Sequence, residues 1–161
     1  YYLVSVINIL MEQDPQITFE LVGTGVSRAA VEKHFKPDKI TRIRFFGNLS
    51  KEKMLEHYME NGILLVTSIF EGGCPLVMKE AMACGLVCVA FDIPVMHDLI
   101  ENNKNGILVE PGNIRQMAGK ITSLIKDPKS KRHISGEARK SVISVTWQKA
   151  ADDLERVIQN G

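Results

Sequence analysis

Short apolar runs alternate with segments of helical periodicity along nearly the whole chain, and this alternation constrains the fold more than any other feature. The runs are Ile17–Val22, Ile43–Phe46, Ile63–Thr67, Val87–Ala90 and Gly106–Val109. A strand that is apolar along its length must be covered on both faces, which is the situation of parallel strands joined by helical crossovers. The expected architecture is therefore an α/β, doubly wound, Rossmann-like parallel sheet.

The segments between the runs read as helices with recognisable ends. Leu3, Val6, Ile7, Leu10 and Met11 recur at helical spacing ahead of Asp14-Pro15. Ser27 is placed to cap a helix reaching about Phe35, after the stop Gly23-Thr24-Gly25. Lys36-Pro37-Asp38 reads as a turn. Ser50 opens a helix with Met54, Leu55 and Tyr58 on its apolar side. Pro75 suits the first turn of a helix that ends at Cys84 with Gly85 as its stop. Pro94 opens a short helix to Ile100, and Asn113 caps one to Ile125. Another follows Pro128, and a last one starts near Trp147. A unit of this kind normally has a strand before its first helix. The chain instead opens Tyr-Tyr-Leu-Val inside a helical pattern, without a Met, so all 161 residues are expected to form one domain of a longer protein.

Composition excludes several classes. Twenty Lys and Arg against nineteen Asp and Glu leave a net charge of +1, which gives no reason to expect a nucleic acid partner. The longest apolar run, Ala83–Phe91, is far short of the roughly 20 residues of a membrane span. Cys74, Cys84 and Cys88 are odd in number and sit among apolar residues, so they read as reduced thiols. Four histidines without a ligand-like pair argue against zinc.

In open α/β sheets ligands bind beyond the carboxyl ends of the strands. The loop after Thr67 is the richest such place. Gly72 and Gly73 allow close backbone approach, and the N–H groups of Cys74, Leu76 and Val77 would open a helix suited to a phosphate. Glu80, one turn into that helix, can accept two hydrogen bonds from a diol such as a ribose. The same residues also fit a tight turn with surface glutamates.

The run Glu71-Gly72-Gly73-Cys74-Pro75-Leu76-Val77-Met78-Lys79-Glu80-Ala81-Met82-Ala83-Cys84-Gly85 resembles the donor-binding signature of the retaining glycosyltransferase family 4, the glycosyl transferases group 1. The resemblance extends to Phe19–Gly25, Phe45-Phe46-Gly47, Leu65–Phe70, Asn105–Gly112 and Thr146-Trp147. It implies the C-terminal, nucleotide-sugar-binding half of a two-domain GT-B enzyme, of a kind that in bacteria often builds polysaccharide or lipid-linked glycans. By the same resemblance, Glu80 would bind the donor ribose and the backbone around Gly73–Val77 the diphosphate. Glu71 would approach a hydroxyl of the donor sugar as the candidate catalytic carboxylate, and Gly47 and Asn48 would lie near the base. The substrate would be a UDP-, GDP- or ADP-sugar, with no cofactor and no metal. The family's basic diphosphate pair and its acceptor domain would belong to an N-terminal part outside this chain, leaving this chain alone inactive. The location implied is cytoplasmic, with peripheral contact to the inner membrane open to the parent. Two departures stand out. Eight residues separate Glu71 from Glu80 where the family usually has seven, and Leu86-Val87-Cys88 replaces Pro-Val-Val.

Other features of the sequence have plain structural readings beside functional ones. Gly23-Thr24-Gly25-Val26-Ser27-Arg28 invites an NAD-type oxidoreductase reading, but Arg28 stands where the third glycine belongs. A non-catalytic nucleotide- or phosphate-binding module is the other alternative; a receiver would want clustered aspartates at strand ends, where only Asp92 sits. His97 reads as surface, Lys79 as solvent-exposed and Cys74 as packing. The seven methionines read as core filler. Lys126–Lys140 carries six Lys or Arg against two acidic residues, a solvated helix face or a membrane-facing one.

Overall fold

The computed structural model describes residues 2–24, 31–35, 37–70 and 75–143. Along the chain these form α1 (Tyr2–Gln13), β1 (Phe19–Val22), α2 (Pro37–Ile40), β2 (Ile43–Phe46), α3 (Lys51–Glu60), β3 (Ile63–Val66), α4 (Leu76–Ala83), β4 (Val87–Phe91), a 3-10 turn (Pro94–Asp98), β5 (Ile107–Val109), α5 (Ile114–Lys126) and α6 (Pro128–Ile143). The Ser27 cap and the helix start near Trp147 lie outside the described residues.

All pairings are parallel, as the apolar runs require. β1 pairs with β2, Phe19 opposite Ile43 and Val22 opposite Phe46. β3, β4 and β5 form a second sheet in that order. The central strand β4 is fully buried along its length. Its residues alternate between two cores, because successive side chains of a strand point to opposite faces. Val87, Val89 and Phe91 meet Val6 and Leu10 of α1 and Met117, Ala118 and Ile121 of α5. Cys88 and Ala90 meet Tyr58 of α3, Met78, Ala81 and Met82 of α4 and Ala138 of α6. Burial pushes the Cys88 thiol up to about 12 and also raises that of Cys84, so both remain protonated, as expected of packing cysteines.

Several boundaries differ from the sequence reading. β1 starts at Phe19, not Ile17, because Asp14 organises a turn: its side chain accepts from Gln16 N–H (2.8 Å) and its carbonyl from Ile17 N–H. Pro75 sits just before α4 at the N-cap position, so Leu76 is the first helical residue. The segment after Pro94 is a 3-10 turn ending at Asp98. On α3 it is Tyr58 that is buried, while Leu55 is half exposed. Lys79 is half-buried, and Met59 is out in solvent although five other methionines are buried. Ser50 and Asn113 cap as expected, accepting from Lys53 N–H and Gln116 N–H.

The end of α4 sets the start of β4. Leu86 N–H donates to Ala81 O (3.0 Å) and Gly85 N–H to Met82 O (3.0 Å), the double bond of a Schellman ending. Gly85 has φ +86°, and an added Cβ would lie 3.4 Å from Ser135 Oγ. Gly85→Ala should therefore lose about 1–2 kcal/mol from the left-handed backbone rather than from a clash. Urea unfolding checks this; an unchanged midpoint would mean the turn relaxes freely.

Candidate functional site

The carboxyl ends of the strands carry the loops singled out in the sequence. α4 begins directly beyond the loop after β3, and Glu80 is in its second turn, with its side chain exposed. Leu76 and Val77, in the first turn, are exposed as well. By position their N–H groups belong to the unpaired start of the helix, since Met78 N–H is already bound to Pro75 O (3.0 Å). A helix start of this kind favours an anion. Glu71, Gly72, Gly73 and Cys74 lie outside the described residues.

Gly47 and Asn48 follow β2. Gly47 is half-buried and Asn48 exposed. Thr24 Oγ1 donates to Asn48 Oδ1 (3.2 Å), and Gly23 N–H donates to Phe46 O (3.1 Å). The loops after β1 and β2 are thus joined. Gly23 is part of this link, a structural use of the glycine that invited the dinucleotide reading.

Between β1 and β3 lies a cavity of about 540 Å³. Residues 18–22 line one side and Ile63, Leu64 and Leu65 the other. Leu3 and Ile7 of α1, together with Met54 and Tyr58 of α3, also line it, and Val77 and Glu80 contribute from α4. The two sheets therefore face each other across this space, and Glu80 stands on its wall. β2 is paired to β1, so Gly47 and Asn48 are one strand removed from it.

Two polar arrangements hold the walls. Glu20 of β1 has a carboxylate that is only 8% exposed. Its Oε2 accepts from His57 Nδ1 (2.7 Å) and Asn61 Nδ2 (2.8 Å), and its Oε1 from Arg44. Burial alone would raise its pKa, but the hydrogen bonds of His57 and Asn61 and the charge of Arg44 outweigh it and hold the carboxyl below its ordinary value. The other arrangement is Tyr58, whose hydroxyl donates to Glu80 Oε2 (3.2 Å). The sequence reading had neither network, because the partners are 22 to 41 residues apart.

His97 Nε2 lies 2.6 Å from Asp92 Oδ1 in the loop after β4, an exposed pair as expected of a surface histidine. Among the described residues no three His, Cys, Asp or Glu side chains are grouped as a metal site would need. No helix among them is long and apolar enough to cross a membrane.

Residues 2–141 match the family described as Glycosyl transferases group 1. The chain belongs to that family. It is 31% identical over 144 residues to the poly(ribitol-phosphate) alpha-N-acetylglucosaminyltransferase of Staphylococcus aureus, an alignment covering 88% of this chain and 28% of that protein. It is 24% identical over 153 residues to the D-inositol 3-phosphate glycosyltransferase of Rhodococcus jostii, covering 90% and 34%. The chain thus spans about a third of the length of these curated relatives. Among solved structures, a mutant of S. aureus TarM with fondaparinux, alpha-GlcNAc-glycerol and UDP superposes with a TM-score of 0.86 at 27% identity over 98% of this chain and 31% of that one. Anabaena HepE with UDP-glucose gives 0.76 at 26% identity, covering 94% and 44%. The α/β fold is that of GT-B glycosyltransferases. Membership in a glycosyltransferase family removes the NAD-type oxidoreductase alternative.

Proposed function

We propose that this chain is the donor-binding domain of a retaining glycosyltransferase. It would bind a nucleoside-diphosphate sugar whose sugar moves to a glycan or lipid-linked acceptor. In that transfer the bond between the anomeric carbon and the β-phosphate oxygen breaks, a bond to an acceptor hydroxyl forms, and the diphosphate departs with the electron pair. The observation that carries the reading is Glu80. In a member of this family it is an exposed carboxylate one turn into α4, close to the start of that helix. A ribose hydrogen-bonded to Glu80 leaves the diphosphate within reach of the Leu76 and Val77 amides, where the helix start stabilises the charge that develops on the leaving group. Glu71 is proposed for a donor-sugar hydroxyl, and Gly47 and Asn48 for the base. The relatives solved with UDP or UDP-glucose favour a sugar nucleotide as substrate; a transfer without cofactor or metal is part of the proposal.

The activity would need more than these residues. The cavity between β1 and β3 has the position of a further parallel strand, which would join the two sheets into one. We assign that strand to an N-terminal portion of the parent, along with the acceptor domain. The basic face of α6, with Lys129, Arg132 and Lys140 exposed, is the surface that would meet an anionic membrane.

Titrating the chain with UDP, GDP, ADP and NAD, followed by amide chemical shifts, tests the reading. One diphosphate should move the α4 amides from Leu76 to Glu80, and Glu80→Ala should weaken it at least tenfold, in line with the loss of hydrogen bonds to a charged acceptor. NAD shifts centred on Gly23 to Arg28 would overturn it.

A further inference from the structure

Tyr58 is an odd residue to find hydrogen-bonded to an exposed carboxylate. Its side chain is 5% exposed and packs in the core with Met78, Met82 and Leu86. A buried phenol needs an acceptor, and backbone carbonyls are the usual ones. Here the acceptor is Glu80 Oε2, reached across 22 residues of sequence at 3.2 Å. Burial, then the negative charge of Glu80, pushes the Tyr58 phenol far above its ordinary range, so it is always a donor and never a competing anion. Among the described residues no other side chain bonds Glu80. One carboxylate oxygen is therefore fixed from the core side, and Oε1 remains for a ligand.

We propose that Tyr58 is a positioning residue: its buried hydroxyl clamps Oε2 of Glu80 and so presents the carboxylate to the vicinal diol of a ribose. This rests on the reading of Glu80 given above. An exposed glutamate on a helix otherwise samples several rotamers, and ordering it at binding costs affinity. A clamp anchored in the core removes that cost before the ligand arrives. Selectivity follows from the same geometry. The vicinal diol offers the clamped carboxylate two hydroxyls, and a 2′-deoxyribose keeps only the 3′-hydroxyl, so the clamp favours ribonucleotides over 2′-deoxyribonucleotides.

The test compares UDP with 2′-deoxy-UDP in the wild-type chain, Tyr58→Phe, Glu80→Ala and the double variant, by chemical-shift titration. Tyr58→Phe keeps the ring and its packing. It should weaken UDP about three- to tenfold and 2′-deoxy-UDP clearly less, so that the preference for UDP shrinks. The double variant should be no weaker than Glu80→Ala alone, because the two residues act as one unit. A purely structural Tyr58 would change both ligands alike or neither, and that result overturns the proposal. If Glu80→Ala retains the wild-type preference for UDP, the ribose role of Glu80 fails and the clamp fails with it. If Glu80→Ala erases the preference and Tyr58→Phe does not, only the clamp fails. Melting temperature of Tyr58→Phe, read alongside, separates lost binding from lost folding.

Discussion

Phe91→Ala should remove about 3–5 kcal/mol of folding stability, the range for truncating a fully buried aromatic side chain. Phe91 ends the central strand β4 with no exposure, and its ring meets that of Tyr2 edge to face at 5.3 Å. It lies in the same core as Leu10 of α1 and Met117 of α5, and helices held on both their sides leave little room for the hole to collapse. The loss is a large part of the roughly 5–15 kcal/mol that a domain of this kind has in total. The melting temperature should drop by roughly 10 °C. Leu55→Ala, at a half-exposed position on α3, should change stability by less than about 0.5 kcal/mol and serves as the control. The loop after β4 should loosen as well. Asp92 N–H donates to Val109 O (2.7 Å) immediately after Phe91, so the loop carrying Asp92 and His97 is suspended from the strand end that the truncation loosens. A loss below about 1.5 kcal/mol would mean that β4 is not the centre on which the layers are assembled.

The strands were legible because each is a short apolar run, a pattern that records burial most directly in β4 and β5, which are buried along their whole length, and less so in the partly buried β1, β2 and β3. Caps and stops were legible for a similar reason: Ser50, Asn113 and Gly85 act on amides and carbonyls within a few residues of themselves. What escaped is non-local. Nothing near Glu20 in sequence says that a charge inside an apolar run will be met by His57 and Asn61, and nothing near Tyr58 points to Glu80. Asn105 shows the same limit from another side. As part of the Asn105–Gly112 segment it looked like one element of a loop signature. In the structure its buried side chain accepts from Glu101 N–H (2.7 Å) and donates to Leu99 O and Ser141 Oγ, tying that loop to α6. On α3 the expected apolar side holds for Met54 and Tyr58 and fails for Leu55, for a related reason. Leu55 is the more apolar residue, but Tyr58 faces the core, where its hydroxyl has an acceptor and its ring has Met78 and Met82.

Glu20→Gln should cost about 2–3 kcal/mol near neutral pH, as expected when buried hydrogen bonds lose their charged acceptor. The carboxylate takes two donors on Oε2 and Arg44 on Oε1; an amide keeps one acceptor oxygen and turns an NH₂ toward a donor. The pH dependence has a definite sign. The folded carboxyl lies below its ordinary value of 4.5, so the folded state binds the proton less readily than the unfolded one. The stabilisation is complete above about pH 5 and is lost as pH falls below 4.5 through the folded value. Stability curves of wild type and Glu20→Gln should therefore be separated at pH 7 and converge in acid, when measured by urea unfolding at several pH values. Parallel curves down to pH 3 would show that the network does not lower the carboxyl's pKa on folding. The consequence reaches the site because of what Glu20 joins. It fastens β1 to α3 across the cavity, and α3 places Tyr58 one residue beyond His57, whose ring also stacks edgewise on Phe46 at 4.4 Å. If α3 shifts when Glu20 is lost, Tyr58 moves with it and Glu80 loses its clamp. Glu20→Gln should then weaken UDP relative to 2′-deoxy-UDP in the same direction as Tyr58→Phe, although Glu20 itself bonds only to protein.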